Sequence, residues 1–525
     1  MTPRTAPTDT SRRRGSIASP HHLATEAGED AFRAGGNAID AAIAAAVVLD
    51  VVYPNQTALG GDAVALVRTP GGAIHCVNAT GWAPAAQSAE RLRAVHGAAI
   101  PFRGIDTVTV PGAVRGWEAL RSFGARLPWS AHFDIAVHLA SDGAPVGRSL
   151  AAAITTRHDV LSQDPGCRDV FLPGGSPLRE GDVFRQPALA QSLVELQAEG
   201  PEALYGGGVG RRLIDGLAQQ GCVMTVDDLD GFRPELVAPL AAPFRQYEVI
   251  TSPPNTQGFM LLRALKRLQQ IGDPQDVLGE QAGALAEIFE HANAVRDLLL
   301  ADPRFATVDA GALIDRDPAA THRPSEGARV GGDTVGISTI DTDGYAVSLL
   351  QSVYDAFGSG VLESTTGILM QNRGRSFSLD PLSPNVVAPG KRPRHTLMPV
   401  MVTEGEDIRW ISSTKGGHGH PQIHAQLLLR SMAGDSPAAA VDAPRWIVGM
   451  QGPEDTNTTV YVESDLPAPA TSSLIDRGFV PKVLPQHDER LGHANLIKVG
   501  DDGRFDAVSD PRCDGSGGEV ELPPR

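Results

Sequence analysis

Apolar residues in the first two thirds of the chain recur at helical spacing. Around Gly35-Gly36-Asn37 they predict a helix, a turn and a second helix. The second of these, residues 38–52, is apolar except for Asp40 and Asp50, which is typical of a buried helix. Ala/Leu-rich segments with the same period dominate residues 110–310, which are therefore predicted to be mainly helical. The clearest of these segments are 188–198, 260–270 and 284–300.

The last third of the chain has the pattern of strands. Residues 334–340 and 345–353 are apolar runs joined by Asp341-Thr-Asp-Gly344, whose residue types favour a tight turn, so a β-hairpin is predicted. Upstream of the hairpin, the polar stretch 317–329 contains two prolines and predicts a loop or linker. Further strands are predicted at 397–402, 408–412 and 459–463, and a helix at 423–432.

Composition narrows the function classes. The 525 residues are 42% hydrophobic and 20% charged, so the chain can bury a sizeable core, although its length leaves the number of domains open. The net charge is −17, and no segment concentrates Lys and Arg enough to follow a phosphate backbone. We therefore expect no nucleic-acid partner.

The N-terminus and the cysteines predict a cytoplasmic protein. Residues 1–15 are rich in Thr, Pro and Arg and are expected to be disordered, with structure beginning near Ser16. Polar residues follow Arg12-Arg13-Arg14 where a signal peptide needs an apolar segment. The apolar run 38–52 is too short to cross a hydrocarbon core of about 30 Å, so no membrane association is expected. Cys76, Cys167, Cys222 and Cys513 lie far apart, which fits a reducing compartment and argues against a thiolate metal site.

Two local features carry candidate chemistry. Thr334 opens the predicted hairpin directly after Gly331-Gly332-Asp333, and Gly416-Gly417 follows Lys415 in the last third. Threonine is a common strand former and a Gly-Gly pair is usually a loop, so neither feature is specific by itself. Their significance depends on the remaining motifs of the chain.

Those motifs are short sequence blocks that run along nearly the whole chain. The blocks of the first part are Ile17-Ala-Ser-Pro-His21, Ala34-Gly-Gly-Asn-Ala-Ile-Asp-Ala-Ala42, Leu59-Gly-Gly-Asp62, Val110-Pro-Gly-Ala-Val114, Gly181-Asp-Val-Phe-Arg-Gln-Pro187, Ala203-Leu-Tyr-Gly206, Asp227-Asp-Leu229 and Ser252-Pro-Pro-Asn-Thr-Gln-Gly258. Those of the second part are Asp333-Thr334, Asp343-Gly344, Phe357-Gly-Ser-Gly360, Gly367-Ile-Leu369, Lys391-Arg-Pro393, Lys415-Gly-Gly417, Asp442-Ala-Pro-Arg445 and Ser509-Asp-Pro-Arg512. In number and order these blocks resemble the gamma-glutamyltranspeptidase family of N-terminal-nucleophile hydrolases, but they do not indicate a substrate.

The resemblance implies a four-layer αββα fold of class α+β and a precursor that cleaves itself before a threonine. By position that threonine is Thr334, so cleavage after Asp333 would give a large subunit, residues 16–333 with a propeptide linker at about 317–333, and a small subunit, residues 334–525. Both would belong to one composite domain. The freed α-amine, with a reference pKa of about 7.7 to 8.0, would act as the base for the Thr334 hydroxyl. Gly416 and Gly417 match the family's oxyanion-hole pair.

The pocket residues depart from the glutathione-cleaving members. The arginine that holds the glutamyl carboxylate corresponds to Thr80, and the acid that holds the glutamyl amine corresponds to Ser376. The paired serines correspond to His395-Thr396, and the second threonine and the asparagine of the site to Ser352 and Tyr354. Family members often carry proline where this chain has Lys415.

Arg373 and Arg375 are additional charges in the same block as Ser376. Arg373 would repel an ammonium group and could hold a carboxylate or oxalyl group, although a solvated or acid-paired surface explains both arginines equally well. The substrate-binding residues expected from the resemblance are Thr80, Ser352, Tyr354, Arg373, Ser376, His395 and Thr396.

Three functions follow from these observations. The first is a threonine amidohydrolase or acyltransferase acting on a small amide, γ-glutamyl or related. The alternatives are an oxamate-type amidohydrolase or a carbon–carbon bond hydrolase in a biosynthetic pathway, and a non-catalytic relative that stays one chain. The expected partners are the substrate and the two subunits, with a homodimer of processed chains left open. No cofactor is expected, and we expect the crowded histidines His418, His420 and His424 to line the site or pack rather than to bind a metal.

Overall fold

A computed structural model describes residues 13–271, 278–316, 332–452 and 454–524. Two large antiparallel sheets lie face to face, and helices cover the outer face of each. The helices are α1 (His22–Arg33), α2 (Ala38–Val52), α3 (Ala89–His96), α4 (Ala113–Arg121), α5 (Asp134–Asp142), α6 (Arg148–Thr156), α7 (His158–Leu161), α8 (Pro165–Phe171), α9 (Pro187–Glu199), α10 (Gly208–Gln219), α11 (Val226–Asp230), α12 (Phe259–Ile271), α13 (Ala282–Leu299), α14 (Ala310–Asp315), α15 (His420–Met432), α16 (Pro437–Asp442) and α17 (Ala468–Asp476).

The strands form two large sheets and three small ones. They are β1 (Arg14–Ser19), β2 (Asp62–Arg68), β3 (Ile74–Ala79), β4 (Ala144–Pro145), β5 (Val183–Phe184), β6 (Glu235–Val237), β7 (Leu240–Phe244), β8 (Tyr247–Thr251), β9 (Asp333–Asp341), β10 (Ala346–Tyr354), β11 (Leu362–Glu363), β12 (Ile368–Leu369), β13 (Val400–Glu404), β14 (Asp407–Thr414), β15 (Trp446–Val448), β16 (Thr459–Glu463), β17 (Val480–Leu484), β18 (Ala494–Val499), β19 (Phe505–Ser509) and β20 (Ser516–Glu521). The first large sheet has the order β20-β1-β9-β10-β2-β3-β6 and the second β19-β18-β14-β13-β8-β7.

Side chains that alternate along the strands build three layers of core. On β2, Ala63, Ala65 and Val67 face the helices, whereas Val64 and Leu66 face the second sheet. The helix α2 supplies the centre of the outer core, and all fifteen of its residues are buried. Helices α12, α13 and α15 cover the far face of the second sheet. The four-layer αββα architecture expected from the sequence is confirmed.

Most predicted elements are found within one or two residues of their expected ends. The hairpin is β9 and β10, the buried helix is α2, and the segments predicted at 188–198, 260–270, 284–300 and 423–432 lie in α9, α12, α13 and α15. The strand predicted at 397–402 begins only at Val400, because Pro399 has no N–H for the ladder and the Leu397 N–H donates to His395 Nδ1 at 3.2 Å. The largely helical middle also contains β6, β7 and β8.

The expected disorder of residues 1–15 is wrong for its last three residues. Strand β1 begins at Arg14 and pairs with both β20 and β9, and Arg13 forms an ion pair with Asp343. Residues 1–12 and most of the predicted linker, 317–331, lie outside the described residues. Asp333, expected at the end of that linker, already belongs to β9. In the described part of the chain, no helix is both long and apolar enough to span a bilayer.

Candidate active site

Thr334 lies at the start of a central strand and is fully buried. Its hydroxyl contacts Ser352 Oγ on the neighbouring strand β10 at 3.3 Å. A bulge brings these two residues together: β9 and β10 pair Gln351 with Val335, and pairing resumes with Tyr354 opposite Asp333, so β10 has one extra residue. Tyr354 completes this bend with φ at +82°, a strained conformation for a residue with a side chain.

Ser352 connects the Thr334 hydroxyl to the peptide bond that precedes it. The Ser352 hydroxyl donates to the carbonyl oxygen of Asp333 at 2.5 Å, and Ser352 Oγ accepts the Tyr354 N–H at 2.8 Å. A donor on this oxygen stabilises the negative charge that develops when the carbonyl carbon is attacked. The arrangement therefore favours attack of Thr334 Oγ1 on the Asp333–Thr334 bond.

The glycine pair lies against the same segment. Gly416 and Gly417 have φ of +149° and +51°, conformations that side chains disfavour. A β carbon on Gly332 would stand 2.0 Å from Gly417 Cα, so the chain before the scissile bond touches the glycine turn. Gln257 Nε2 fixes this turn by donating to the Gly417 carbonyl at 2.7 Å. These contacts place the expected oxyanion pair beside the scissile segment.

Arg373 is a buried cation whose hydrogen-bonding groups are only partly satisfied by the described residues. Its side chain is fully buried, its guanidinium carbon lies 3.7 Å from the centre of the Tyr354 ring, and Nη2 donates to Thr396 Oγ1 at 3.2 Å. Nε and Nη1 have no hydrogen-bond partner among the described residues. Burial lowers the Arg373 pKa to about 10. Such a group is costly to bury unpaired, which points to a ligand that completes it.

Arg375 differs from Arg373 because a carboxylate of the protein, that of Asp355, balances its positive charge. Arg375 Nη1 forms an ion pair with Asp355 Oδ2 at 2.7 Å, and its guanidinium carbon lies 3.8 Å from the centre of the Phe102 ring. Asn372 Nδ2 donates to the same carboxylate oxygen at 2.7 Å. The acid-paired alternative therefore describes Arg375, whereas Arg373 has no ion pair within the described chain segments.

His395 belongs to a network around Asp62. Its Nε2 lies 3.0 Å from Asp62 Oδ2, and its Nδ1 accepts the Leu397 N–H, so the uncharged ring donates to Asp62. Burial, and then the nearby Arg373 charge, lower the His395 pKa to about 4, so the ring is neutral above about pH 5. Asp62 Oδ1 also accepts the Gly81 N–H and Gln371 Nε2, both at 2.8 Å.

Thr80 and Ser376 are buried, and their contacts differ from those of the residues above. The Thr80 hydroxyl donates to Asn78 Oδ1 at 2.7 Å and lies 3.3 Å from Asn255 Nδ2. Ser376 ends the 3-10 turn that carries Arg373, and its carbonyl oxygen accepts from Asn385 Nδ2 at 2.6 Å. The Thr80 hydroxyl is thus engaged in hydrogen bonds within the protein.

The remaining predicted residues form one closed path of contacts. Thr334 contacts Ser352, the Ser352 hydroxyl accepts from Tyr354, and the Tyr354 ring lies under Arg373. Arg373 donates to Thr396, whose carbonyl accepts from Gln257 at 3.0 Å. Gln257 holds Gly417, which touches Gly332 before the scissile bond. A continuous series of contacts therefore links Thr334, the glycine turn and Arg373.

Of the three histidines of the segment 418–424, His420 and His424 are buried, and His418 is half-buried. His424 Nδ1 lies 2.9 Å from Ser412 Oγ, and His420 Cδ2 lies 3.2 Å from the position that a β carbon on Gly416 would occupy. Burial lowers the pKa of His424 to about 3. No group of three or more His, Cys, Asp or Glu side chains in the described residues is arranged to hold a metal ion.

Two residues beside the site were missed from the sequence. Asp62 was noted only as part of a motif, yet it ties β2 to His395 and Gln371. Lys415 was noted only as a replacement for proline, yet its Nζ lies 2.7 Å from Asp333 Oδ1. A charged residue next to a Gly-Gly pair was the available signal for Lys415.

The chain is similar to known proteins along most of its length. A family model described as gamma-glutamyltranspeptidase matches residues 24–520. The chain is 36% identical to a glutathione hydrolase-like YwrD proenzyme of Bacillus subtilis strain 168, with 95% of this chain and 97% of that protein covered. It is 34% identical to an oxamate amidohydrolase proenzyme of Klebsiella pneumoniae, with coverages of 96% and 98%.

The fold also matches a solved structure along its full length. A cephalosporin acylase from Bacillus halodurans superimposes with a TM-score of 0.88 at 32% sequence identity, and 99% of each chain is covered. An acylase ACY 1 proenzyme of Pseudomonas sp. strain SE83 is 32% identical over 96% of this chain. These relatives share a scaffold but differ in the acyl groups that their names indicate.

Proposed function

The chain belongs to the gamma-glutamyltranspeptidase family, and we propose that it is a self-processed amidohydrolase for small amides whose acyl group carries an anionic oxygen. It is an enzyme and a proenzyme of this family, so a large and a small subunit arise from one precursor. In the proposal Thr334 is the nucleophile, Gly416 and Gly417 are the oxyanion donors, and Arg373 binds the acyl group. Ser352, Tyr354, His395 and Thr396 shape the pocket.

The unpaired donors of Arg373 are the observation that carries this substrate class. A carboxylate or oxalyl oxygen that accepts from Nε and Nη1 would form charge-assisted hydrogen bonds and supply the countercharge that the buried guanidinium lacks. An ammonium group would meet the Arg373 charge instead. The similarity to an oxamate amidohydrolase supports the same class, since oxamate joins a carboxylate directly to the amide carbonyl.

The same residues argue against a glutamyl group held in the way of the glutathione-cleaving members. That mode needs an arginine at the position of Thr80 and an acid at the position of Ser376. The Thr80 hydroxyl is engaged with Asn78, and the nearby carboxylate of Asp62 already accepts hydrogen bonds from Gly81 and Gln371. The α-carboxylate and the α-ammonium group of a glutamyl substrate would therefore find neither the arginine nor the acid that bind them in the glutathione-cleaving members.

Self-processing follows from the contacts of Ser352. Thr334 Oγ1 attacks the Asp333 carbonyl carbon, and the Ser352 hydroxyl stabilises the oxyanion. The C–N bond breaks, the hydroxyl proton moves to the departing nitrogen, and an ester joins Asp333 to Thr334 Oγ1. Water hydrolyses the ester, leaving a carboxylate on Asp333 and a free α-amine on Thr334. That amine is the base in turnover, where an amide substrate forms the same type of ester and releases its amine.

An intact-mass spectrum of the purified protein, followed by assays with oxamate, a γ-glutamyl anilide and a neutral acyl amide, tests the proposal. We expect two masses, for residues 1–333 and 334–525, and release of ammonia from oxamate with a kcat/KM above those of the other two. A single intact mass that persists would overturn the assignment. A cut enzyme that prefers the glutamyl or the neutral amide, or breaks a carbon–carbon bond of a keto acid, would overturn the substrate class.

Replacing Ser352 by Ala should slow self-cleavage without unfolding the protein. The variant loses the donor to the Asp333 carbonyl, and one such donor is worth roughly 10²- to 10³-fold in rate. The fraction of cut chain is measured on gels at intervals after cell-free synthesis. Ser352→Thr keeps the hydroxyl and is the matched control. Cleavage of Ser352→Ala at the wild-type rate would remove Ser352 from the reaction.

A further inference from the structure

Lys415 is a buried cation that reaches the residue before the proposed cut. It follows the last residue of β14 and precedes the glycine turn, and its side chain is 10% exposed. Its Nζ lies 2.7 Å from Asp333 Oδ1 and 3.8 Å from Glu489 Oε2. Burial disfavours the ammonium form, but the two carboxylates more than offset it and raise the pKa of Lys415 above its ordinary value. The lysine is therefore charged at all ordinary pH values.

Asp333, the residue before the proposed cut, is therefore held by two contacts from different parts of the fold. Its carbonyl oxygen accepts from Ser352 on β10, and its carboxylate pairs with Lys415 at the end of β14. The Lys415 backbone is itself fixed, since its N–H donates to the His493 carbonyl at 3.2 Å. Gly332, which precedes Asp333, packs closely against Gly417, so this packing and the two contacts of Asp333 together define where the carbonyl lies.

We propose that Lys415 is a positioning residue for self-cleavage and makes the reaction specific for an acidic residue before the cut. The proposal rests on the proposed cleavage before Thr334. Fixing the Asp333 carboxylate holds the carbonyl carbon within reach of Thr334 Oγ1 and against the glycine turn. Proximity of this kind accelerates an intramolecular attack because the reacting groups need not search for one another. Lys415 touches neither reacting atom and transfers no proton.

Glu489 gives Lys415 a second ion-pair partner, so Lys415 is needed to hold Asp333 only until the chain is cut. When the ester is hydrolysed, Asp333 becomes the end of the large subunit and can leave, and Lys415 then retains Glu489 as its partner. The Glu489 carboxylate is already ordered, because Ser149 Oγ donates to Oε2 at 2.8 Å and His493 Nε2 lies 3.5 Å away. Lys415 should therefore affect the rate of processing much more than the turnover of the processed enzyme.

The test follows self-cleavage of the full chain after cell-free synthesis, with the cut fraction measured by intact mass. Lys415→Met and Asp333→Asn should each slow cleavage roughly tenfold or more, and the double variant should be no slower than either single variant, because both remove one ion pair. Lys415→Arg keeps the charge and should restore most of the rate. Lys266→Met, which removes an exposed ion pair with Asp315, is the matched control and should cut normally.

Two further measurements distinguish a variant that does not fold from one that folds but has lost the ion pair. The thermal midpoint of each variant reports folding, and Asp333→Asn tests the pair even if Lys415→Met does not fold. After prolonged incubation, kcat/KM of cut Lys415→Met should lie within about threefold of the wild type. Unchanged cleavage rates or additive effects of the two substitutions would overturn the role of Lys415 while leaving cleavage at Thr334 intact. A wild type that never cuts would instead refute the proposed function.

Discussion

Thr334→Ala is expected to leave one uncut chain of 525 residues with no turnover above background. The substitution removes the attacking hydroxyl, which lies 3.3 Å from Ser352 Oγ and directly follows the carbonyl that it would attack. It also prevents the α-amine that would serve as base from being freed. The cut fraction is read by intact mass, and turnover by ammonia release from oxamate.

Thr334→Ser is the matched control because it retains a hydroxyl at the same backbone position. It should cut, and once cut it should turn over more slowly than the wild type, since the methyl group that fixes the threonine rotamer is absent. The fold should be retained in both variants, because neither enlarges a side chain in the packed layer between the sheets. A Thr334→Ala chain that still splits after residue 333 would show that another group performs the cleavage.

The sequence predicted the layers of the fold better than the small strands. The apolar runs 334–340, 345–353 and 38–52 are strong signals, and β9, β10 and α2 appear where they indicate. Strands β6 and β7 were missed because they are short and partly exposed, and because Pro243 lies within β7. Their place in the sheets depends on pairing with distant strands, which local propensity does not encode.

The candidate site was predictable as a set of residues but not as a set of contacts. Motif order indicated Thr334 and the glycine pair, and the structure brings the glycine pair against Gly332, two residues before Thr334. Sequence could not distinguish Arg373 from Arg375, two residues apart in one short turn. The distinction arises because Asp355 reaches only Arg375, whereas Arg373 turns toward the Tyr354 ring and Thr396.

Arg373→Met should lower kcat/KM for an amide with an anionic acyl group by roughly 30- to 150-fold. Charge-assisted hydrogen bonds contribute about 2 to 3 kcal/mol, and the variant removes every such donor of this side chain. Activity on a neutral acyl amide of the same length should change by less than about threefold, and the loss on the anionic substrate should fall mainly on KM. Arg373→Lys keeps a charge without the planar fork and should be intermediate.

Stability provides the control that separates a binding role from a structural one. An arginine that served the fold would lower the thermal midpoint when replaced. Arg373 is buried, and its Nε and Nη1 find no hydrogen-bond partner in the part of the chain that the structure describes, so Met, which fills similar volume without a charge, should leave the midpoint unchanged or raise it. Arg375→Met should do the opposite, because it strands the buried Asp355 carboxylate without its ion pair. Equal losses on anionic and neutral amides, together with a lower midpoint for Arg373→Met, would mean that Arg373 supports the pocket wall and does not bind the acyl group.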